Sequence, residues 1–212
     1  MENTKFEKKL KTAVILAGGR STRMGFDKQL IKIDDRFLIE ILVEKLSREF
    51  DEIIIISNDH SVYSNMNFEC KVIIEKDMIT GKGPLCGLYS ALYHSSSEYI
   101  FLMACDMPYI NLDYIKYLKL EILRNKRVLG IVSEKGKWIE PFYGFYSKDL
   151  MTDILKNIEN DDLKILNLLL KNEIIYVKES KVRLYSKNLS IFENLNTIED
   201  IERYKLSRLF HA

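Results

Sequence analysis

The sequence predicts an α/β fold: a single three-layer α/β/α, Rossmann-like domain built on a mostly parallel, mixed sheet. Three observations carry this. Short apolar runs alternate with longer amphipathic stretches, the pattern of strands joined by crossover helices. Most of the apolar runs are continuous rather than alternating, as strands covered on both faces require. The 212 residues include only three prolines and nine glycines, and no linker, repeat or low-complexity tract divides them. One domain over residues 1–212 is expected, with residues 1–11 as an N-terminal extension.

The first strand is expected at 12–17, where Ala13-Val14-Ile15-Leu16-Ala17 is apolar throughout. A helix follows at 38–48, because Leu38, Ile41, Leu42, Lys45 and Leu46 fall largely on one face. Strands are expected at 52–57 and 71–75, then a helix at 84–94 whose Pro84 suits a first turn. The apolar run at 99–104 continues to Cys105 and stops abruptly at Asp106. Helix-period segments at 112–125, 148–160 and 163–170 alternate with strands at 127–133 and 141–146 and a weaker one at 173–178. The last helix spans 197–210. Thr197 is its N-cap and Asp200 completes a cap-like pattern, although the capping box proper prefers Glu or Gln there.

Composition excludes several classes. Thirty-two Lys and Arg against 31 Asp and Glu leave a formal charge of +1. A broadly basic nucleic-acid binder needs a marked cation surplus, so no nucleic-acid partner is expected. With 47% hydrophobic residues the chain is not of disordered type. Cys70, Cys86 and Cys105 form no CxxC pair, which removes zinc ribbons and thioredoxin-type redox motifs. Their odd number suits a reducing compartment, and a cytoplasmic location is expected. The apolar run behind Lys8-Lys9-Leu10-Lys11 is too short for a secretory signal, and Arg20 and Arg23 follow at once. No stretch nears the ~18 apolar residues of a membrane span, so no membrane partner is expected. His60, His94 and His211 lack ligand spacing, and no nucleophile–histidine arrangement is arguable.

The sharpest local feature is Leu16-Ala17-Gly18-Gly19-Arg20-Ser21-Thr22-Arg23-Met24-Gly25-Phe26-Asp27-Lys28. Ligands of open α/β sheets bind outside the carboxyl ends of strands, where this segment begins. Two adjacent glycines let several N–H groups converge on an anion, and Arg20, Arg23 and Lys28 stand against a single Asp27. The Walker A spacing fails, since Gly19 to Gly25 is too long and Lys28 comes three residues late; the dinucleotide GxGxxG fails because Gly18 and Gly19 are adjacent. The alternative is a surface turn with incidental basic residues. Asp106, at the mouth of an apolar strand, has two readings. It is a hard ligand for Mg²⁺, which needs only one or two carboxylates, or it is an N-cap for the helix that follows.

These residues resemble a known family. LAGGRSTRMGFDK is similar to the LAGGxSxRMGxDK signature of molybdenum cofactor guanylyltransferases, the MobA-type proteins, which have the nucleotide-diphospho-sugar transferase fold. Cys105-Asp106-Met107-Pro108 resembles their CDxP, Gly83-Pro84-Leu85-Cys86-Gly87 their GPLxG, and Glu193-Asn194-Leu195-Asn196-Thr197-Ile198-Glu199-Asp200 their NxNTPEEL ending, with Ile198 in place of Pro. The Asp27-Lys28 pair separates them from sugar and isoprenoid nucleotidyltransferases, which usually have Pro-Lys.

The resemblance implies the following roles. Leu16, Ala17, Gly18, Gly19, Arg20 and Ser21 touch the nucleotide, and Arg23 and Lys28 hold phosphate oxygens. Asp106 binds Mg²⁺, and Arg23, Lys28 and Asp106 form the catalytic set. Gly83 and Asp77 approach the base and sugar; Asp77 otherwise reads as part of a charged loop. Asn58 stands in for a family asparagine, although the strict position falls on Ile56. Asn194 and Asn196 lie near the pterin, or else Asn196 and Thr197 simply cap a helix. Trp138 and Tyr143 either stack on a ligand or belong to the core. The implied activity is transfer of GMP from GTP to the phosphate of molybdopterin, with or without its molybdenum, releasing pyrophosphate. The alternatives are a cytidylyltransferase for the same cofactor, a sugar-phosphate nucleotidyltransferase, and a non-catalytic cofactor chaperone. Molybdopterin-inserting proteins and molybdoenzymes are the protein partners it implies.

Overall fold

A computed structural model describes residues 9–17, 27–80, 83–125 and 127–209. The strands are β1 (Thr12–Leu16), β2 (Lys32–Ile33), β3 (Arg36–Phe37), β4 (Glu52–Ile56), β5 (Val72–Glu75), β6 (Tyr99–Ala104), β7 (Gly130–Lys135), β8 (Trp138–Ser147) and β9 (Ile174–Val177). The helices are α1 (Leu38–Leu46), α2 (Pro84–His94), α3 (Leu112–Arg124), α4 (Met151–Glu159), α5 (Ile165–Leu170), α6 (Glu179–Val182) and α7 (Ile198–Leu209). Seven strands form one sheet in the order β5-β4-β1-β6-β8-β7-β9, and β2 and β3 form a small hairpin. Strands β5, β4, β1 and β6 are mutually parallel; β8 runs antiparallel to β6 and β7, and β9 is parallel to β7.

Alternation along each strand builds two cores. Ala13 and Ile15 of β1 face one layer with Leu42 of α1 and Tyr114, Ile115 and Leu118 of α3. Val14 and Leu16 face the other with Leu88 and Leu92 of α2, Ile154 of α4 and Leu168 of α5. Both faces are covered, which explains the unbroken apolar runs. Registers Leu16↔Ile56 and Leu16↔Ala104 bring the carboxyl ends of β4, β1 and β6 level with one another. Ala17 N–H donates to Ile56 O at 3.0 Å and Cys105 N–H to Leu16 O at 3.0 Å, extending this order one residue past the strand ends. Three chain segments therefore leave the sheet side by side, at Ala17, Ser57 and Cys105. Because β8 is antiparallel, its early residue Glu140 arrives at the same edge.

The element boundaries differ from expectation in a few places. Strand β8 begins at Trp138, before the expected 141, since its first residues pair with β7 beyond a register shift between Ile131 and Ser133. At that shift Tyr143 has φ 62°, and a Cβ on Gly144 would lie 2.5 Å from Ile131 O, so the crossing needs the bare glycine backbone. The β2–β3 hairpin and α6 were not expected. Of the segment read as an extension, Lys9–Lys11 is tied to the sheet: Lys9 O accepts from Tyr99 N–H at 2.9 Å, and Lys11 O from Asp51 and Glu52 N–H. Among the described residues no helix is long and apolar enough to cross a membrane.

Candidate active site

The three exit points set the geometry of the site. After β1 the described chain resumes at Asp27, which caps a 3-10 turn, Lys28–Leu30, through Gln29 N–H at 2.9 Å. The turn aims Lys28 at the β6 exit. Lys28 Nζ lies 2.5 Å from Asp106 Oδ2 and donates at 2.7 Å to Asn196 Oδ1. Asn194 Nδ2 donates to Asp106 Oδ1 at 3.2 Å. The backbone joins in, for Leu195 N–H donates to Asp106 O at 2.8 Å. Asp106 is only 5% exposed. A carboxylate so buried needs a charged or multiply hydrogen-bonded partner, and here it has both. Lys28, Asp106, Asn194 and Asn196, far apart in sequence, thus meet at one point.

The helix-cap readings of these positions can be checked directly. Asp106 does not cap α3; Asn111 does, accepting from Tyr114 N–H at 2.9 Å. Asn196 and Thr197 offer their N–H groups to Asp200 Oδ2, and Asp200 N–H returns to Thr197 Oγ1 at 3.1 Å. This reciprocal cap uses the Asn196 backbone and leaves its side chain facing Lys28.

A second cluster lies at the ends of β4 and β5. Asp77 N–H donates to Asn58 Oδ1 at 3.3 Å, and Ser90 Oγ of α2 donates to Asp77 Oδ1 at 3.4 Å. Ser90 Oγ also accepts from Met78 N–H at 2.9 Å. Burial pushes the Asp77 carboxyl above the usual range, with the Ser90 and Asn58 hydrogen bonds pulling the other way. Gly87 lets α2 approach, since a Cβ there would meet Leu16 Cδ2 at 3.2 Å and Asp77 Oδ1 at 3.6 Å. Gly83, at φ 82°, precedes Pro84 and starts that helix. Leu16, Asn58, Asp77 and Gly83 thus rim the other side of the β1 exit from Asp106. Ile56, at the strict family position, is 1% exposed within β4 and faces the core, so Asn58 is the side chain that reaches the rim.

On the far side of Asp106 a cavity of about 360 Å³ is lined by Glu140, Lys135, Arg203, Tyr109, Asn194 and Asn196, among others. Burial raises the Glu140 carboxyl, opposed by the Phe142 N–H and Lys135 and reinforced by Asp106. Sequence reasoning missed Glu140, Lys135 and Arg203; only their arrival at one edge marks them. A larger cavity of about 760 Å³ lies beyond Tyr109 and Tyr204, whose rings meet edge to face, and is lined by none of Lys28, Asp106, Asn194 and Asn196. Tyr143 is 0% exposed, with its hydroxyl accepting from Asn111 N–H at 2.6 Å, so it belongs to the core. Trp138 is 78% exposed and lines neither cavity. Gly18, Gly19, Arg20, Ser21 and Arg23 lie outside the described residues.

Among the described residues no three His, Cys, Asp or Glu side chains form a metal cluster. One carboxylate beside two carboxamides is a hard oxygen set. It fits a divalent cation that takes its remaining ligands from water and phosphate rather than from a protein cage.

The mostly parallel mixed sheet, with β4, β1 and β6 ending level, is the nucleotide-diphospho-sugar transferase fold, which the chain shares with solved nucleotidyltransferases. The chain is similar to the structure of molybdopterin-guanine dinucleotide biosynthesis protein A from Archaeoglobus fulgidus, with TM-score 0.78, 24% identity, and coverage of 94% of this chain and 99% of that one. It is 43% identical over 197 residues to a protein of Peptoclostridium acidaminophilum named probable molybdenum cofactor guanylyltransferase, covering 91% of this chain and 87% of the relative. It is 39% identical over 197 residues to the molybdenum cofactor guanylyltransferase of Syntrophotalea carbinolica, covering 93% and 91%. Residues 13–172 match the family described as MobA-like NTP transferase domain, and the chain belongs to that family.

Proposed function

We propose that this chain transfers the guanylyl group of GTP to the terminal phosphate of molybdopterin, giving the guanine dinucleotide form of the molybdenum cofactor and pyrophosphate. The observation that carries this reading is the Lys28–Asp106–Asn194–Asn196 cluster, set between the Asp77 rim and the 360 Å³ cavity. The relatives' names suggest the substrates, and the cluster with the clefts on its two sides supports the reading.

An oxygen of the acceptor phosphate bonds to the α-phosphorus, and the bond to the bridging oxygen of the β-phosphate breaks. The attacking group is already anionic, so the protein needs no strong base. Its work is positioning and charge neutralisation. Lys28 leaves Asp106 for the triphosphate as nucleotide binds, with Arg23 and the N–H groups of Gly18 and Gly19 as its partners from the glycine loop. Arg20, Ser21, Leu16 and Ala17 complete the nucleotide contacts, and Asn58, Asp77 and Gly83 meet base and sugar. Asp106 would hold Mg²⁺, which when bound supplies a Lewis acid for the phosphate charge. Asn194 and Asn196 orient the acceptor. The residues 1–212 act as one domain in this reading, in the cytoplasm, and molybdopterin-inserting proteins or molybdoenzymes receive the product.

Pyrophosphate release is the test, measured with GTP, CTP and ATP, with and without molybdopterin. Release from GTP that depends on molybdopterin is expected. Preference for CTP moves the assignment to cytidylyl transfer, and tight GTP binding without release in the presence of authentic cofactor supports a chaperone instead.

A further inference from the structure

Lys28 is a long side chain, and holding its ammonium at one point requires a fixed base. The residue that follows it supplies one. Gln29 is 8% exposed, and its amide meets four polar atoms from three residues. Its Nε2 donates to both carboxylate oxygens of Asp27, at 3.2 and 3.0 Å. Its Oε1 accepts from Ser57 Oγ at 2.6 Å and from Tyr63 Oη at 2.5 Å. Ser57 is the exit residue of β4, and Tyr63 ends the His60–Tyr63 turn beyond it. A carboxamide is the side chain that both donates on one edge and accepts on the other, and this pocket demands both. The network is fully satisfied, so it rigidifies the turn that carries Lys28. No role in phosphate binding has been given to any of Gln29, Ser57 or Tyr63, and none of them reaches Asp106.

We propose that Gln29 is a positioning residue: by bridging Asp27 to Ser57 and Tyr63 it ties the Lys28 turn to the end of β4 and sets the approach of Lys28 to the phosphates. The inference rests on the phosphate role of Lys28. It names a determinant of rate that lies off the ligand, and it explains why a buried amide sits beside a catalytic lysine.

Among the described residues, the charged and titratable groups around Gln29 are Asp27 and Lys28 on its own turn, Asp59 and Tyr63 beyond β4, and Cys105 beyond β6. Burial pushes the Tyr63 hydroxyl and the Cys105 thiol up, so both stay protonated through the neutral range. Gln29→Glu therefore creates one new titration, shared with Asp27. Protonated, the introduced carboxyl donates to Asp27 and accepts from Ser57 and Tyr63 as the amide does. Ionised, it opposes Asp27 at hydrogen-bond distance. Two carboxyls in a buried site hold a shared proton well above the usual carboxylate range.

The experiment measures kcat for pyrophosphate release from GTP with molybdopterin in the wild type, Lys28→Ala, Gln29→Leu and Gln29→Glu, between about pH 6 and pH 8.5. Gln29→Leu is expected to lose about tenfold or more in kcat, the scale of a displaced catalytic group. For Gln29→Glu the ratio to wild type is expected within about threefold near pH 6, falling to about one-tenth or less near pH 8.5. A ratio that does not change with pH, whatever its size, or wild-type kcat in Gln29→Leu, overturns the proposal. If Gln29→Leu fails to fold by thermal unfolding, the Gln29→Glu profile decides alone. If Lys28→Ala keeps wild-type kcat, the phosphate role of Lys28 is what has failed, and the two failures are told apart in one data set.

Discussion

Asp106 and Asp77 are both aspartates just past the carboxyl end of a parallel strand, and the fold treats them oppositely. Asp106 is 5% exposed and is met by a cation on one oxygen and a carboxamide on the other. Asp77 is half-buried and meets a hydroxyl and, through its backbone, an amide oxygen; among the described residues no cation pairs with it. Burial raises its carboxyl accordingly. Charge is compensated at the first position and left uncompensated at the second. A carboxylate that carries its own counterion can exchange Lys28 for a phosphate-bound cation. One without a counterion gains by accepting hydrogen bonds from the N–H groups of a ligand. The first arrangement suits bond making, the second recognition.

The largest expected effects fall on the first pair. Asp106→Ala and Lys28→Ala should each lower kcat by at least ~100-fold, the scale of removing one preorganised charge contact. Near-normal turnover in both would erase the distinction. Asp77→Ala should sharpen it by raising KM for GTP about tenfold while leaving kcat within about threefold, the pattern of lost ground-state binding. Asn196→Ala removes one of the two Lys28 acceptors among the described residues, and steady-state kinetics should show a kcat loss of about three- to tenfold, smaller than that of Lys28→Ala.

The smallest effect is on stability. The Asp77 carboxyl is raised above its unfolded value, so its contribution to stability is full below the unfolded pKa and lost as pH rises through the folded one. Asp77→Asn relieves that loss. Its Tm near pH 7 should exceed the wild type by about 1–2 °C, and the gain should vanish near pH 4 or below, where both proteins are uncharged at this site. Equal melting curves at neutral pH would mean that Asp77 is not strained by burial.

Much of this contrast can be read from residues alone. Strands β1, β4 and β6 are continuous apolar runs, and Asp106 stands out because it ends one of them abruptly. The glycine-rich segment and Lys28 carry a recognisable spacing. What cannot be read is what depends on pairing at a distance. The β2–β3 hairpin is two residues a side around Asp34-Asp35, too short for a periodic signal. The start of β8 depends on a bulge opposite β7. Glu140, Lys135 and Arg203 come to one cavity from β8, β7 and α7. Gln29, Ser57 and Tyr63 are isolated polar residues in sequence, and only their burial in one hydrogen-bonded cluster gives them meaning. Asn196 carried two readings in sequence because its backbone and side chain do different things.

The difference between the two aspartates is tested most directly by kcat and KM for GTP and for CTP, with molybdopterin present, in the wild type, Asp106→Asn and Asp77→Ala. Asp106→Asn should collapse kcat for both nucleotides alike, and Asp77→Ala should keep kcat for GTP while its KM rises and the preference over CTP narrows. Full kcat in Asp106→Asn, or a collapse of kcat in Asp77→Ala with KM for GTP unchanged, would contradict the division between a reacting and a recognising carboxylate.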